Sequence, residues 1–176
     1  MVPLWWSPYP ATLDGLGYAS LAERVLANSG ITLSGFRADA FASTLILSIS
    51  SAVTGEGPLV LAQPLYAVIG AAPVIVGYLF ARRLGTDRGW APSRTRLAGL
   101  VVALTLAVDG IFVRRTGVPD DDTLTLLLIP VAAYIAYQYT ERGHERWLGA
   151  LIPLLIVLPI THTFSTLVAG LTLTIL

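Results

Sequence analysis

The sequence predicts an all-α protein: a polytopic transmembrane helix bundle preceded by an N-terminal interfacial amphipathic segment. Three observations carry that prediction. Apolar residues make up 55% of the 176 and charged residues only 12%, about half the usual charged share of a soluble domain. One soluble core of this size could not hide so much apolar surface and still leave a solvated exterior. The apolar residues also fall into stretches long enough for four to six membrane helices, separated by short polar punctuation. A soluble enzyme, a disordered tail and a nucleic-acid binder are excluded at this level.

Charge and sulfur content narrow the chemistry. Eleven basic residues balance eleven acidic ones, and every basic residue is arginine, a bias associated with GC-rich, salt-adapted genomes. Cysteine is absent, which removes disulfides, thiolate catalysis and cysteine metal sites. The opening MVPLWWSPYP has neither the basic start nor the apolar run of a secretory signal.

Residues 1–38 read as an external or interfacial segment. Trp5, Trp6 and Tyr9 are of the kind that settles among lipid headgroups. From Asp14 the spacing of Leu16, Ala19, Leu21, Ala22, Val25 and Leu26 predicts an amphipathic helix with Glu23, Arg24 and Asn28 on or near its polar side. Asn28-Ser29-Gly30 is its expected stop, and a second short amphipathic piece is expected around Phe36 to Phe41.

Residues 39–176 read as the transmembrane region, in five apolar stretches. The first covers Ala40 to Thr54 and is short for a crossing, so both a full span and a half-helix in the outer leaflet stay open. The second covers Leu59 to Ala81, with Gln63 and Pro64 expected to bend it, and closes on Arg82-Arg83. The third covers Leu97 to Val113 and closes on Arg114-Arg115; the fourth covers Leu124 to Tyr139. The last runs from Trp147 to Leu176 and is expected to divide near His162, because Pro159 and Thr161-His162-Thr163 interrupt it. Its second half would be too short to span, so the sequence reads as part of a longer protein. Between Arg82 and Arg96 lie five arginines and one aspartate. The positive-inside rule makes that loop cytoplasmic, which puts Arg114 to Asp122 and His162 outside. The expected setting is a multi-pass plasma-membrane protein.

Several polar features could carry chemistry: Asp14 before the amphipathic helix, Asp120-Asp121-Asp122 before the fourth stretch, Arg114-Arg115, His162, and Asp109 inside the third stretch. Each also has a plainer reading. Asp14 and the Asp120 cluster suit helix N-termini, and Asp109 could pair with an arginine nearby. His162 could bond a backbone carbonyl, and the inner arginines could serve topology alone. Three adjacent aspartates exceed what a cap requires. Arginines on the outer side run against the positive-inside trend, as phosphate ligands would. An intramembrane carboxylate such as Asp109 is also a candidate ion or proton site, which would make the chain a transporter or permease subunit. A structural subunit with no chemistry is the third possibility.

The order of these parts resembles the N-terminal portion of GT-C membrane glycosyltransferases. Asp14-Gly-Leu-Gly-Tyr18-Ala-Ser-Leu-Ala22 is similar to their first external loop, where an acidic residue precedes a tyrosine and an amphipathic helix. The second stretch, ending in Tyr78-Leu-Phe-Ala-Arg82-Arg83, is similar to their second helix. Arg115-Thr116-Gly117-Val-Pro-Asp120-Asp121-Asp122 resembles the second external loop of oligosaccharyltransferase catalytic subunits, with its D-x-D. The resemblance implies hexosyl or oligosaccharyl transfer from a polyprenyl-phosphate-linked sugar at the outer face of the bilayer. It implies Asp14, Asp120 and Asp122 as catalytic carboxylates and as ligands of Mg²⁺ or Mn²⁺. Arg114 and Arg115 would bind the phosphate, with Asp121, Tyr18, His162 and Asp109 as auxiliary groups. The chain departs from the family pattern in having no helix ahead of Asp14, glycine after Asp14 where many members are acidic, and no soluble C-terminal domain. As an isolated segment it could lack activity.

Overall fold

The computed structural model describes residues 10, 12–28, 40–161 and 170, and among these it contains helices and no strand. Seven helices follow in order: α1 (Leu13–Ala27), α2 (Phe41–Thr54), α3 (Pro58–Asp87), α4 (Pro92–Val108), α5 (Gly110–Thr116), α6 (Asp121–Arg142) and α7 (Glu145–Thr161). Among the described residues, two stretches are long and apolar enough to cross a bilayer, Pro58–Asp87 and Asp122–Arg142. The helical class is thus as expected, while the larger number of spans is met only in that coarser form.

Most elements match their stretches, with two informative differences. The third stretch is not one helix. Asp109 leaves α4 in an extended conformation, and its carboxylate accepts from the Phe112 backbone N–H at 2.6 Å, which starts α5. A short acidic side chain competes with the helix for its own backbone donors, and here it wins. The second difference is the face that α1 buries. Gly15, Tyr18, Ala19 and Ala22 turn inward, while Leu13 is 86% exposed and Leu16 and Leu26 are also exposed. Its packed stripe is mostly small. The piece expected around Phe36, and everything after Thr161 except Gly170, lie outside the described residues.

Small and hydroxyl residues inside, with bulky aliphatics outside, recur along the chain. On α2, Ser43, Thr44, Leu47, Ser48 and Ser51 form the buried face, and Ile49 and Val53 the outer one. On α4, Thr95 and Gly99 are buried against α3, while Leu97, Leu100, Val101, Leu104 and Val108 face outward. Small residues let backbones approach closely: a Cβ added to Gly99 would lie 2.8 Å from the Tyr78 ring, and one added to Gly77 2.9 Å from Leu106. This is the packing helices adopt where the surroundings are as apolar as leucine, so that burying leucine gains little.

Two clusters join the helices. Ala19 and Ala22 of α1, Leu47 of α2, Ala62 and Tyr66 of α3, and Leu124 of α6 form the first. Ala132 and Ala136 of α6 with Leu151 and Leu158 of α7 form the second. α3 and α6 run in the same direction. Both begin near the α5–α6 turn. Both end near Asp87, where the Tyr137 hydroxyl donates to Oδ2 at 3.0 Å, and Phe80 meets Tyr134 edge-on at 5.8 Å just before that point. From Gln63 to Asp87, α3 rises about 36 Å, a little more than a bilayer's hydrocarbon thickness.

The tightest contact of α1 supplies a test. A Cβ on Gly15 would lie 2.8 Å from both Pro10 Cβ and Pro119 Cβ, neither of which can rotate away, whereas one on Gly17 meets nothing within 4 Å. Gly15→Val should cost about 1–3 kcal/mol as an overpacked contact, and Gly17→Ala should be neutral or slightly stabilising. Thermal unfolding of the two variants in detergent checks the contrast.

Candidate site at the α5–α6 turn

The turn from Arg115 to Asp120 carries backbone carbonyls that no helix satisfies, and side chains from three helices take them up. Thr123, in the first turn of α6, shares its single hydroxyl proton between Arg115 O at 2.9 Å and Val118 O at 2.8 Å. Gln63 Nε2, from α3, donates to Gly117 O at 2.7 Å. Thr12, which caps α1, donates to Pro119 O at 2.8 Å and accepts from Gly15 N at 3.0 Å. Thr123 and Gln63 are fully buried, as is Pro119, so this turn is part of the packed interior at its base and open at its rim. Buried polar groups of this kind must be bonded, and here the bonds also fix the turn.

The charged groups sit on that rim. Arg115 Nη1 pairs with Asp122 Oδ2 at 2.8 Å, both side chains partly exposed. Arg114 is exposed in the last turn of α5. Asp120 is half-buried at the N-cap of α6, but its side chain makes no capping bond. Asp14 is exposed in the first turn of α1, where the helix dipole favours an anion. The cap itself is Thr12, two residues earlier. Because Thr12 is bonded to Pro119, the first turn of α1 and the acidic start of α6 lie at one end of the bundle.

The remaining candidates separate from that rim. Tyr18 is only 7% exposed, on the packed face of α1, so its ring belongs to a helix interface rather than to the open edge. Asp109 is exposed at the α4–α5 junction, where its carboxylate serves as a cap and not as a charge inside a bundle. The Asp121 side chain and all of His162 lie outside what the structure describes. Among the described residues no three acidic or histidine side chains gather closely enough to hold a metal ion. Of the carboxylates expected as ligands, Asp122 is held by Arg115.

The residues that build the turn, Thr12, Gln63 and Thr123, are not the ones that sequence reading singles out for chemistry. Gln63 reads as a bend in an apolar helix, yet a glutamine amide deep in such a helix has to be bonded, and that was its available signal. Thr12 and Thr123 reveal nothing of their reach without the fold. No protein-family model, no curated protein and no solved structure matches the chain, so its likeness to GT-C enzymes rests on the residues alone.

Thr123→Val keeps the side-chain shape and removes both hydroxyl bonds, leaving two carbonyls open. It should cost about 1–3 kcal/mol. Amide hydrogen exchange should rise across residues 115–123 well before it rises in α3, and exchange that rises uniformly would contradict the clamp.

Proposed function

We propose that this chain is a multi-pass membrane protein whose α5–α6 end carries glycosyl transfer from a polyprenyl-phosphate-linked sugar, as in the GT-C enzymes it resembles. One observation supports the reading above the others: the Thr12–Pro119 bond brings the start of α1, with Asp14, to the turn that holds Arg115, Asp120 and Asp122. Groups more than 100 positions apart in sequence thereby share one end of the bundle, as a site built on the two loops requires. The inverted packing supports the membrane setting, because an aqueous exterior would not leave so many leucines and valines outside.

The chemistry follows from charge. The bond between the sugar's anomeric carbon and the phosphate oxygen breaks, and its electron pair leaves with the phosphate. The acceptor's nucleophilic atom forms the new bond to that carbon, and its proton passes to a carboxylate. Exposed Arg114, with Arg115 next to it in sequence, is assigned the anionic leaving group. Asp120, which makes no capping bond, is the carboxylate free of the Arg115 pair and is assigned the proton. Asp14 is assigned the orientation of the acceptor. These steps run on the protein's own side chains, and among the described residues no ligand set for a metal is gathered. The exposed, capping position of Asp109 weighs against an ion-transport reading.

The absence of cysteine makes the topology directly measurable. Asp14→Cys and Asp120→Cys, each alone in the full chain, should both react with a membrane-impermeant maleimide added outside intact cells. Reaction of the two from opposite sides would overturn the site. With a polyprenyl-phosphate-linked hexose as donor, Asp120→Asn should lower transfer by roughly 10²-fold or more, the usual loss on removing a general base. Transfer that persists undiminished would remove Asp120 from the role.

A further inference from the structure

At the opposite end of α3 a second polar site appears, unrelated to the turn. A groove of about 300 Å³ lies between the ends of α3 and α6, lined by Leu79, Arg82, Arg83, Thr86 and Tyr134. Arg83 is charge-neutralised there: Nη2 pairs with Asp87 Oδ1 at 2.8 Å, and Asp87 also accepts from Tyr137. Arg82 is not. It donates from Nη1 to the Tyr78 hydroxyl at 3.3 Å and lies over that ring at 5.4 Å, and among the described residues it forms no ion pair. The Nε atoms of both arginines are buried and without a hydrogen-bond partner among the described residues. Two adjacent guanidinium groups, half-buried, thus retain an excess positive charge and two unused donors.

We propose that this groove binds the phosphate headgroup of an anionic lipid. A phosphate oxygen is the acceptor that planar guanidinium donors match best, and one such group supplies both the missing acceptor and the missing charge. The lining also explains why the phosphate is a lipid's. Leu79, nearly half exposed, and the Tyr134 ring make the other wall apolar, and Ile75, one turn back along α3, is exposed to the same surroundings. A free anion would gain nothing from that wall, whereas an acyl chain would lie along it. Basic pockets between helix ends on the arginine-rich side of a membrane are where such headgroups collect. The inference rests on the membrane part of the proposed function and not on sugar transfer.

The test uses the full chain purified in a neutral detergent and titrated with dioctanoyl phosphatidylglycerol, read as a rise in melting temperature and as retained lipid in native mass spectrometry. Arg82→Gln should weaken binding roughly tenfold, the loss of charge-assisted bonds to one phosphate. Arg94→Gln, at an exposed arginine in the first turn of α4, should leave it within about twofold. Arg82→Lys, which keeps the charge and removes Nε, should fall between wild type and Arg82→Gln; its melting temperature without lipid shows that the fold is intact. Dioctanoyl phosphatidylcholine should bind more weakly than the anionic lipid. Equal losses in Arg82→Gln and Arg94→Gln would reduce the effect to diffuse charge and overturn the site, as would undiminished binding by Arg82→Lys. Full competition by inorganic phosphate at equal concentration would show an anion site with no preference for lipid, and would overturn the assignment equally. Because none of these readings involves sugar transfer or the labelling of positions 14 and 120, failure here leaves the proposed function standing, and the reverse also holds.

Discussion

Open backbone carbonyls at the α5–α6 turn are the constraint on which this structure depends. Where α5 stops and α6 has not begun, Arg115, Gly117, Val118 and Pro119 present oxygens to a packed interior, and each must be met. Thr12, Gln63 and Thr123 meet them from three different helices. The bonds draw α1 onto the start of α6 and fix α3 beside it, and the apolar cluster around Ala22, Leu47, Tyr66 and Leu124 closes directly below. The Thr12 bond matters the more because the packed stripe of α1 is mostly glycine and alanine.

That small stripe has a wider meaning. A helix that buries glycine, alanine and serine while leaving leucine outside gains little from the hydrophobic effect and relies on close backbone approach and hydrogen bonds. α1, α2 and α4 all follow this pattern. Hydroxyl and amide side chains recur inside such a bundle, and several of them close specific bonds. Ser48 bonds Thr44 O, Ser51 closes the turn onto Glu56 O, and Gln63 crosses to the turn. The two ends of α3 then differ in chemistry: one holds a carbonyl-rich turn edged with aspartate and arginine, the other a guanidinium groove with unused donors.

Asp109 shows how an apolar pattern can mislead. Its neighbours are apolar on both sides, so hydropathy runs on through it and suggests a carboxylate inside a membrane helix. The backbone instead breaks at that residue, because its carboxylate accepts from the Phe112 N–H in the first turn of a new helix. What looks like a buried charge is an exposed cap. Asp14 differs in a similar way, since the cap of α1 falls to Thr12 and the acid sits two residues later, in the first turn. Only the acidic start of α6 stands where the spacing puts it.

Composition and periodicity determined the helical class, the position of α1 to within a residue at its start, its stop at Asn28, and the long apolar α3 and α6. These depend on local physics: apolar runs, missing donors at proline, and glycine where the chain turns back on itself, as at Gly55 and Gly143 with their positive φ. Tertiary structure alone decided which face of α1 is buried, that the third stretch divides, and that Thr12 and Gln63 reach residues more than 50 positions away. Side-chain size and hydrogen-bonding capacity are written at each position, but the partner that uses them is not. Which carbonyl is left open depends on where two distant helices end, and that is settled only when they pack.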